Sequence, residues 1–243
     1  MEAKVLLSEL SGARHNEEIM ARSKEKRMCG YEISLAFAKK ATVIIGDYYY
    51  LFNPHVKDAL FTKLEWNLED IIVIVDEGHN LPTRIAEMLS TNLTSFMVRN
   101  AIIEAKKHNY GGLIRWLQEL NTILMNLSDF KSMEKEKFVA KDQFISLLTK
   151  TVKYEDFINE LEVAADEVRK KQRKSYLGGI AAFLDAWQGS DDGFTRIISE
   201  KIGKYGPVTQ LQYLCLDPSL ITKEIFGAVF FGVIMSGTLK PTF

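Results

Sequence analysis

Asp76 and Glu77 stand side by side and are followed by Gly78 and His79. Two adjacent carboxylates suit one job well: the first can hold a Mg²⁺ through water while the second polarises a water attacking a terminal phosphate. Such chemistry needs a rigid support. Residues 71–75 read Ile-Ile-Val-Ile-Val, five β-branched apolar residues without alternation. That pattern predicts a strand buried on both faces, as in a parallel sheet covered by helices. In open α/β sheets, ligands sit at the carboxyl ends of the strands, where the two acids fall. The plainer alternative is a buried strand that ends in a polar turn, with Asp76 capping the next element.

A second apolar run, residues 228–235, delivers Ser236, Gly237 and Thr238 at its end and predicts another buried strand. Residues 41–47 (Ala-Thr-Val-Ile-Ile-Gly-Asp) predict a short strand, trailed by the aromatic cluster 48–52 and the Asn53-Pro54 stop. Residues 1–27 read as charged helix without a strong apolar face, and helices are expected near 33–40 and 56–64. Pro82 fits the first turn of another helix, and the signal stays helical to about residue 187. Leu113, Leu117, Leu120, Leu124 and Leu127 mark one face; Phe157, Leu161, Ala164 and Val168 mark a second; Leu177, Ile180, Phe183, Leu184 and Trp187 mark a third. These stripes predict helix–helix core. Residues 194–199 and 208–216 then predict two strands joined by a turn over 203–207. A parallel strand normally needs a crossover to the next. The chain ends five residues beyond Thr238 with no covering helix, so the sequence is expected to be a piece of a longer one.

The totals exclude several classes. The chain has 243 residues, 47% hydrophobic and 26% charged, as in ordinary globular proteins. Two distant cysteines, Cys29 and Cys215, rule out a disulfide framework and fit a reducing compartment, so a cytoplasmic location is expected. The most apolar run is too short to span a bilayer, and no membrane partner is expected. His15, His55, His79 and His108 are scattered and form no His-Glu-x-x-His zinc pattern. A net charge of −1 gives no general attraction to nucleic acid. The densest basic patch is Arg169, Lys170, Lys171, Arg173 and Lys174, which reads either as a solvated helix face or as a contact for a DNA backbone.

The combination of motifs resembles archaeal members of the XPD family of superfamily 2 DNA helicases, related to bacterial DinG. Three anchors carry the resemblance in the family's order. Cys29-Gly30-Tyr31-Glu32, the following apolar run and the tyrosine cluster resemble the family's Cys-Pro-Tyr-Glu segment and its strand. Val75-Asp76-Glu77-Gly78-His79-Asn80-Leu81 resembles its Asp-Glu-Ala-His box, and Leu214-Cys215-Leu216-Asp217-Pro218 with Met235-Ser236-Gly237-Thr238-Leu239 resembles the segment leaving its Arch domain and motif III. The resemblance implies an α/β fold: a partial RecA-like parallel sheet of the P-loop NTPase type, over residues 35–92 and 212–243. A large, mainly helical Arch-like insertion would occupy 93–211, and 1–34 would be a remnant of the iron–sulfur region.

Roles follow from the same resemblance. Asp76 and Glu77 would be the metal-binding and water-activating acids, with Mg and ATP bound in the complete protein. His79, Ser236, Gly237 and Thr238 would couple nucleotide state to DNA. Cys29 would be one of four cysteine ligands of a 4Fe–4S cluster. The insertion would help enclose single-stranded DNA and could meet repair-protein partners; Tyr31 and the basic run are the DNA-contacting candidates. Departures limit this. Gly78 stands where the family has alanine and Gly30 where it usually has proline. No cysteine lies upstream of Cys29, and no Gly-x-x-x-x-Gly-Lys-Ser/Thr occurs. The expected parent is an ATP-dependent 5′-to-3′ DNA helicase of nucleotide excision repair type, with this chain alone inactive and without a cluster. The alternative is a non-catalytic helical interaction module with an idle acid pair.

Overall fold

The computed structural model describes residues 2–10, 12–130, 135–203 and 206–238. In chain order the elements are α1 (Glu2–Glu9), α2 (Asn16–Glu25), α3 (Gly30–Ala38), α4 (Tyr49–Phe52), α5 (Pro54–Leu64), β1 (Ile72–Val75) and α6 (Leu81–Leu89). Then come β2 (Thr91–Thr94), α7 (Ser95–Lys107), α8 (Gly111–Leu127), β3 (Glu136–Phe138), α9 (Lys141–Leu148), α10 (Tyr154–Arg169) and α11 (Tyr176–Trp187). The series closes with β4 (Phe194–Gly203), β5 (Gly206–Cys215), α12 (Ser219–Ala228) and β6 (Phe231–Ile234). The expected α/β class holds: a parallel strand pair, many helices, and a large insertion between the paired strands in sequence. The chain divides into two compact units, one of Met1–Ile85 with Ile221–Phe243, the other of Ala86–Leu220.

In the first unit β1 pairs in parallel with β6, Val73 opposite Gly232 and Val75 opposite Ile234. The expectation that β1 is buried on both faces is not met. Val73 and Val75 are buried, but Ile72 and Ile74 are 58% and 64% exposed, and β6 is open along its length. Five apolar residues in a row mark a strand able to be covered twice; within this chain only one face is covered. Residues 41–47 form neither helix nor strand, with Ile45 97% exposed, so the expected second strand is an irregular segment. β-propensity alone cannot make a strand without a partner edge. The tyrosine cluster is helical instead, forming α4, and buried Phe52 packs against Phe226 of α12. Asn53 then caps α5, its side chain accepting from the Val56 N–H at 3.1 Å with Pro54 at the first position. The N-terminal segment, read as lacking an apolar face, still closes a small cluster of Leu6, Leu10, Ile19 and Ile33.

The second unit holds the larger core. Every residue of the three apolar stripes is buried, and Leu93, Ile198 and Leu211 join them from a sheet. That sheet corrects the expectation of continuous helix to residue 187: β2 and β3 are short strands in an antiparallel order β2-β5-β4-β3. Three- and four-residue strands leave too little alternation to read. β4 and β5 appear where strands were expected; the middle of the expected turn, 204–205, lies outside the described residues, as does residue 239 of the last anchor. Two buried charges fix the ends of α11. Glu104, 5% exposed, accepts from the Tyr176 and Leu177 N–H groups at 2.7 and 3.0 Å, and from Gln172 and Ser175. It thus holds the free N–H groups of the first turn. At the other end Arg196 donates to the carbonyls of Trp187 and Gly189 at 2.8 Å, pairs with Asp191, and lies over the Trp187 and Tyr213 rings.

Candidate active site

The acid pair leaves the carboxyl end of β1 in a sharp turn. Glu77 adopts φ 50°, ψ 44°, the left-handed region. For a residue with a Cβ this costs on the order of 1–2 kcal/mol, so the turn has to be held. Two anchors hold it. The Gly78 N–H donates to the Met235 carbonyl at 2.9 Å, just past the end of β6. The Tyr48 hydroxyl donates to the carbonyl of Asp76 and reaches that of Glu77 at 3.2 Å. Tyr48 is positioned by the α4 start and by an edge contact with Phe52. Nothing in the sequence analysis marked Tyr48 for this role; a tyrosine before a helix carries no signal for a bond to a strand end 28 residues on.

Gly78 is also a close-approach residue. A Cβ placed on it would come within 2.2 Å of Ile234 Cγ2. The glycine that stands where the family has alanine therefore lets the turn lie directly against the end of β6.

This proximity assembles the cluster. His79 Nδ1 lies 2.7 Å from Ser236 Oγ and 3.2 Å from Glu77 Oε2, and Ser236 Oγ donates to Glu77 Oε2 at 3.2 Å. Thr238 donates its N–H to Ser236 Oγ at 3.3 Å, and the two hydroxyl oxygens lie 3.1 Å apart. Ser236 has a single hydrogen to give, so when it donates to Glu77 the contact with His79 Nδ1 is a hydrogen bond only if Nδ1 carries a proton. Gly237 lies between with open space around it. Residues 159 positions apart thus share one hydrogen-bond network. Glu77 Oε1 and Asp76 Oδ2 have no hydrogen-bond partner among the described residues, while Asp76 Oδ1 accepts from the Glu77 N–H at 2.9 Å. Asp76 and Glu77 are exposed and free to meet a ligand.

The remaining candidates lie apart from this cluster. Cys29 is exposed at the start of α3. One cysteine cannot hold a 4Fe–4S cluster, and no group of three or more metal-binding side chains occurs among the described residues. Asp76 does fit a single, water-mediated Mg²⁺ contact. Tyr31 is exposed, with the Lys63 ammonium 4.6 Å from its ring centre. In the basic run, Arg169 and Lys170 are already paired with Asp166 and Glu167 on α10, at 2.8 and 2.5 Å. The hydrogen bond and charge of Glu167 raise the Lys170 pKa. Lys171, Arg173 and Lys174 are exposed and have no ion pair among the described residues.

The acid pair and histidine follow the end of one parallel strand and are bonded to a serine just past the end of its neighbour. Among known proteins, residues 7–98 match the DEAD_2 family model. The XPD/RAD3 helicase subunit of general transcription and DNA repair factor IIH from Saccharomyces cerevisiae is 23% identical, covering 93% of this chain and 37% of its own. The ATP-dependent DNA helicase CHL1 of Yarrowia lipolytica is 24% identical over 93% of this chain and 31% of its own. The structure of S. tokodaii Xpd4 shares the fold, with TM-score 0.54 and 16% identity over 94% of this chain and 48% of that one. Both curated relatives are named as helicases, and the chain spans about a third of their length. No described helix is long and apolar enough to cross a membrane.

Proposed function

We propose that this chain supplies the motif II and motif III part of the first motor lobe, together with an Arch-like insertion, of an ATP-dependent 5′-to-3′ DNA helicase acting in DNA repair. Residues 35–92 and 212–243 form the lobe segment, 93–211 the insertion, and 1–34 the end of the iron–sulfur region. The observation that carries the proposal is the Glu77–His79–Ser236 network at the carboxyl ends of two adjacent parallel strands. Its relatives named above are helicases, which disfavours an idle interaction module.

In this reading Asp76 would hold the metal of a bound nucleotide, and Glu77 would orient the attacking water with the oxygen that Ser236 leaves free. Bound Mg²⁺ would neutralise charge on the phosphates. His79, with Ser236 and Thr238, senses the position of Glu77 and passes it to the end of β6. Cys29 is one ligand of a cluster completed by cysteines outside this sequence. The insertion faces single-stranded DNA and repair-protein partners, in the cytoplasm. Phosphate binding falls to a segment of the longer protein.

The experiment compares DNA-stimulated ATP hydrolysis by this chain and by a longer polypeptide that includes the upstream region. The longer protein should turn over ATP and lose that activity when Glu77 becomes Gln; the 243-residue chain should stay at background. Unchanged turnover in the longer Glu77→Gln protein would overturn the proposal.

A further inference from the structure

At the amino ends of β1 and β6, opposite the end that carries the acid pair, the first unit has an open cleft of about 630 Å³. Its walls are α5, through Lys57, Asp58 and Phe61, the 66–69 segment that leads into β1, and the end of α12. Local structure fixes the aromatic wall. Glu65 ends α5 in the left-handed region, φ 59°, and the Trp66 N–H turns back to the Phe61 carbonyl at 3.0 Å. Lys39 pairs with Glu65 at 2.6 Å at this cap. Trp66 is thereby set edge to face on Phe61, ring centres 6.0 Å apart. It stays half-buried, and its indole N–H has no acceptor among the described residues.

The charge around this aromatic wall has one sign. Lys57 is largely covered and already answers Glu224 at 3.3 Å and Asp58 at 3.6 Å. Asp58 remains open to solvent, and Glu69 has no ion pair or side-chain hydrogen bond among the described residues. The last-turn carbonyls of α12, which ends at Gly227 and Ala228, add the negative end of a helix dipole. Such a cleft repels a polyanion and favours a cation. The fixed indole narrows the choice, because a guanidinium stacks flat on an aromatic face and forks on to a carboxylate, which an ammonium does not. The volume exceeds what a lone guanidinium needs and leaves room for the backbone on either side of it. We infer that the cleft docks an arginine side chain presented by an extended segment of a partner protein. Its guanidinium stacks on Trp66 and pairs with Glu69, while Asp58 and the end of α12 supply the surrounding negative potential. The inference is independent of the helicase reading, since it uses neither the acid pair nor nucleic acid.

The test is an NMR titration of the isotope-labelled 243-residue chain with short, blocked glycine–serine peptides that carry one central arginine, citrulline or lysine. Citrulline keeps the plane of arginine and loses its charge. The arginine peptide should shift the Trp66 indole and the Glu69 and Gly227 amides together, and bind less tightly as salt rises. The citrulline peptide should bind about tenfold more weakly, the loss expected of one charged hydrogen-bonded pair. The lysine peptide should also bind more weakly than the arginine peptide. Glu69→Gln, at an exposed position, should lower the affinity for arginine about tenfold. Trp66→Leu, followed through the Gly227 amide, should lower it about threefold, with Trp66→Phe falling between. Each spectrum also shows whether the variant is folded.

Equal binding of the arginine and citrulline peptides overturns the inference, and so does a lysine peptide that binds as tightly as arginine. Full affinity in folded Glu69→Gln does the same, as do shifts that fall on the Glu77 and Ser236 amides instead of the cleft. Cleft amides that move with chain concentration in the absence of peptide would put a second copy of the chain there and remove the separate partner. Shifts of the same amides by a thymidine oligonucleotide would replace the cation by a polyanion and overturn the charge argument. None of these results bears on ATP hydrolysis by the longer protein, so the helicase reading stands or falls by its own experiment.

Discussion

Glu77 sits in the left-handed region with a full side chain, and its place is kept by neighbours on other parts of the chain. Gly78 is the tightest of these points. Adding a methyl there puts it 2.2 Å from Ile234 Cγ2, a branch carbon with little freedom to turn on a strand. Gly78→Ala should therefore destabilise the first unit by about 1–3 kcal/mol, the range of an overpacked contact. Urea denaturation measures it, and the companion variants discriminate. Ile234→Ala in the same background should restore most of the loss, while Ile234→Val, which keeps the branch carbon, should not. Tyr48→Phe isolates the other anchor. Losing one hydroxyl bond to the Asp76 and Glu77 carbonyls should cost about 1 kcal/mol and raise amide exchange at Gly78, read by NMR.

The elements of the second unit depend on how their ends are satisfied. Glu104 accepts from two N–H groups at the start of α11 and from two side chains, all in a site only 5% exposed. Glu104→Ala leaves those donors without a partner and should cost about 2–3 kcal/mol, seen as a lower denaturation midpoint. Glu104→Gln keeps one acceptor and should lose less. α10 gives a prediction in pH. The Tyr154 hydroxyl donates to the Leu184 carbonyl at 2.8 Å, and burial, aided by Glu155 and Asp185, pushes its pKa well above the ordinary 10.0. The folded state keeps the phenol neutral where the unfolded state ionises, so its stabilisation is complete below pH 10.0 and is lost as pH rises beyond it. Burial raises Tyr213 and Cys215 in the same direction. Melting temperature should fall from pH 9 to 11, less steeply in Tyr154→Phe, about the ordinary tyrosine value.

The whole chain holds two units of unequal completeness. Ala86–Leu220 encloses a core reaching from Leu93 to Tyr213, whereas the first unit leaves Ile72, Ile74 and Phe231 open on its two-stranded sheet. A two-stranded sheet is marginal without further cover. Unfolding should therefore proceed in two steps, the first unit before the second, and limited proteolysis should leave a resistant product close to 86–220. A single transition in which both units lose protection together would contradict this. The sequence showed what is local and periodic: the three helical stripes are buried, and β1 and β6 form within the two apolar runs, although neither is the fully buried strand expected, β1 being covered on one face and β6 open along its length. It could not show what depends on a distant partner. The 41–45 run has strand composition but no neighbouring edge, β2 and β3 are too short for alternation, and neither Tyr48 nor the fit of Gly78 to Ile234 leaves a pattern in a one-dimensional string.

The Gly78–Ile234 contact also sets the order in which such a chain can change over generations. If alanine enters the box while the branched residue remains opposite, the acid turn is pushed away from its partner strand in that same step. If the strand residue first loses its branch, a change at a half-exposed position, room for alanine already exists when it arrives. The route is thus easy in one direction and obstructed in the other. Lineages carrying glycine at this position are expected to keep it for as long as isoleucine stays opposite.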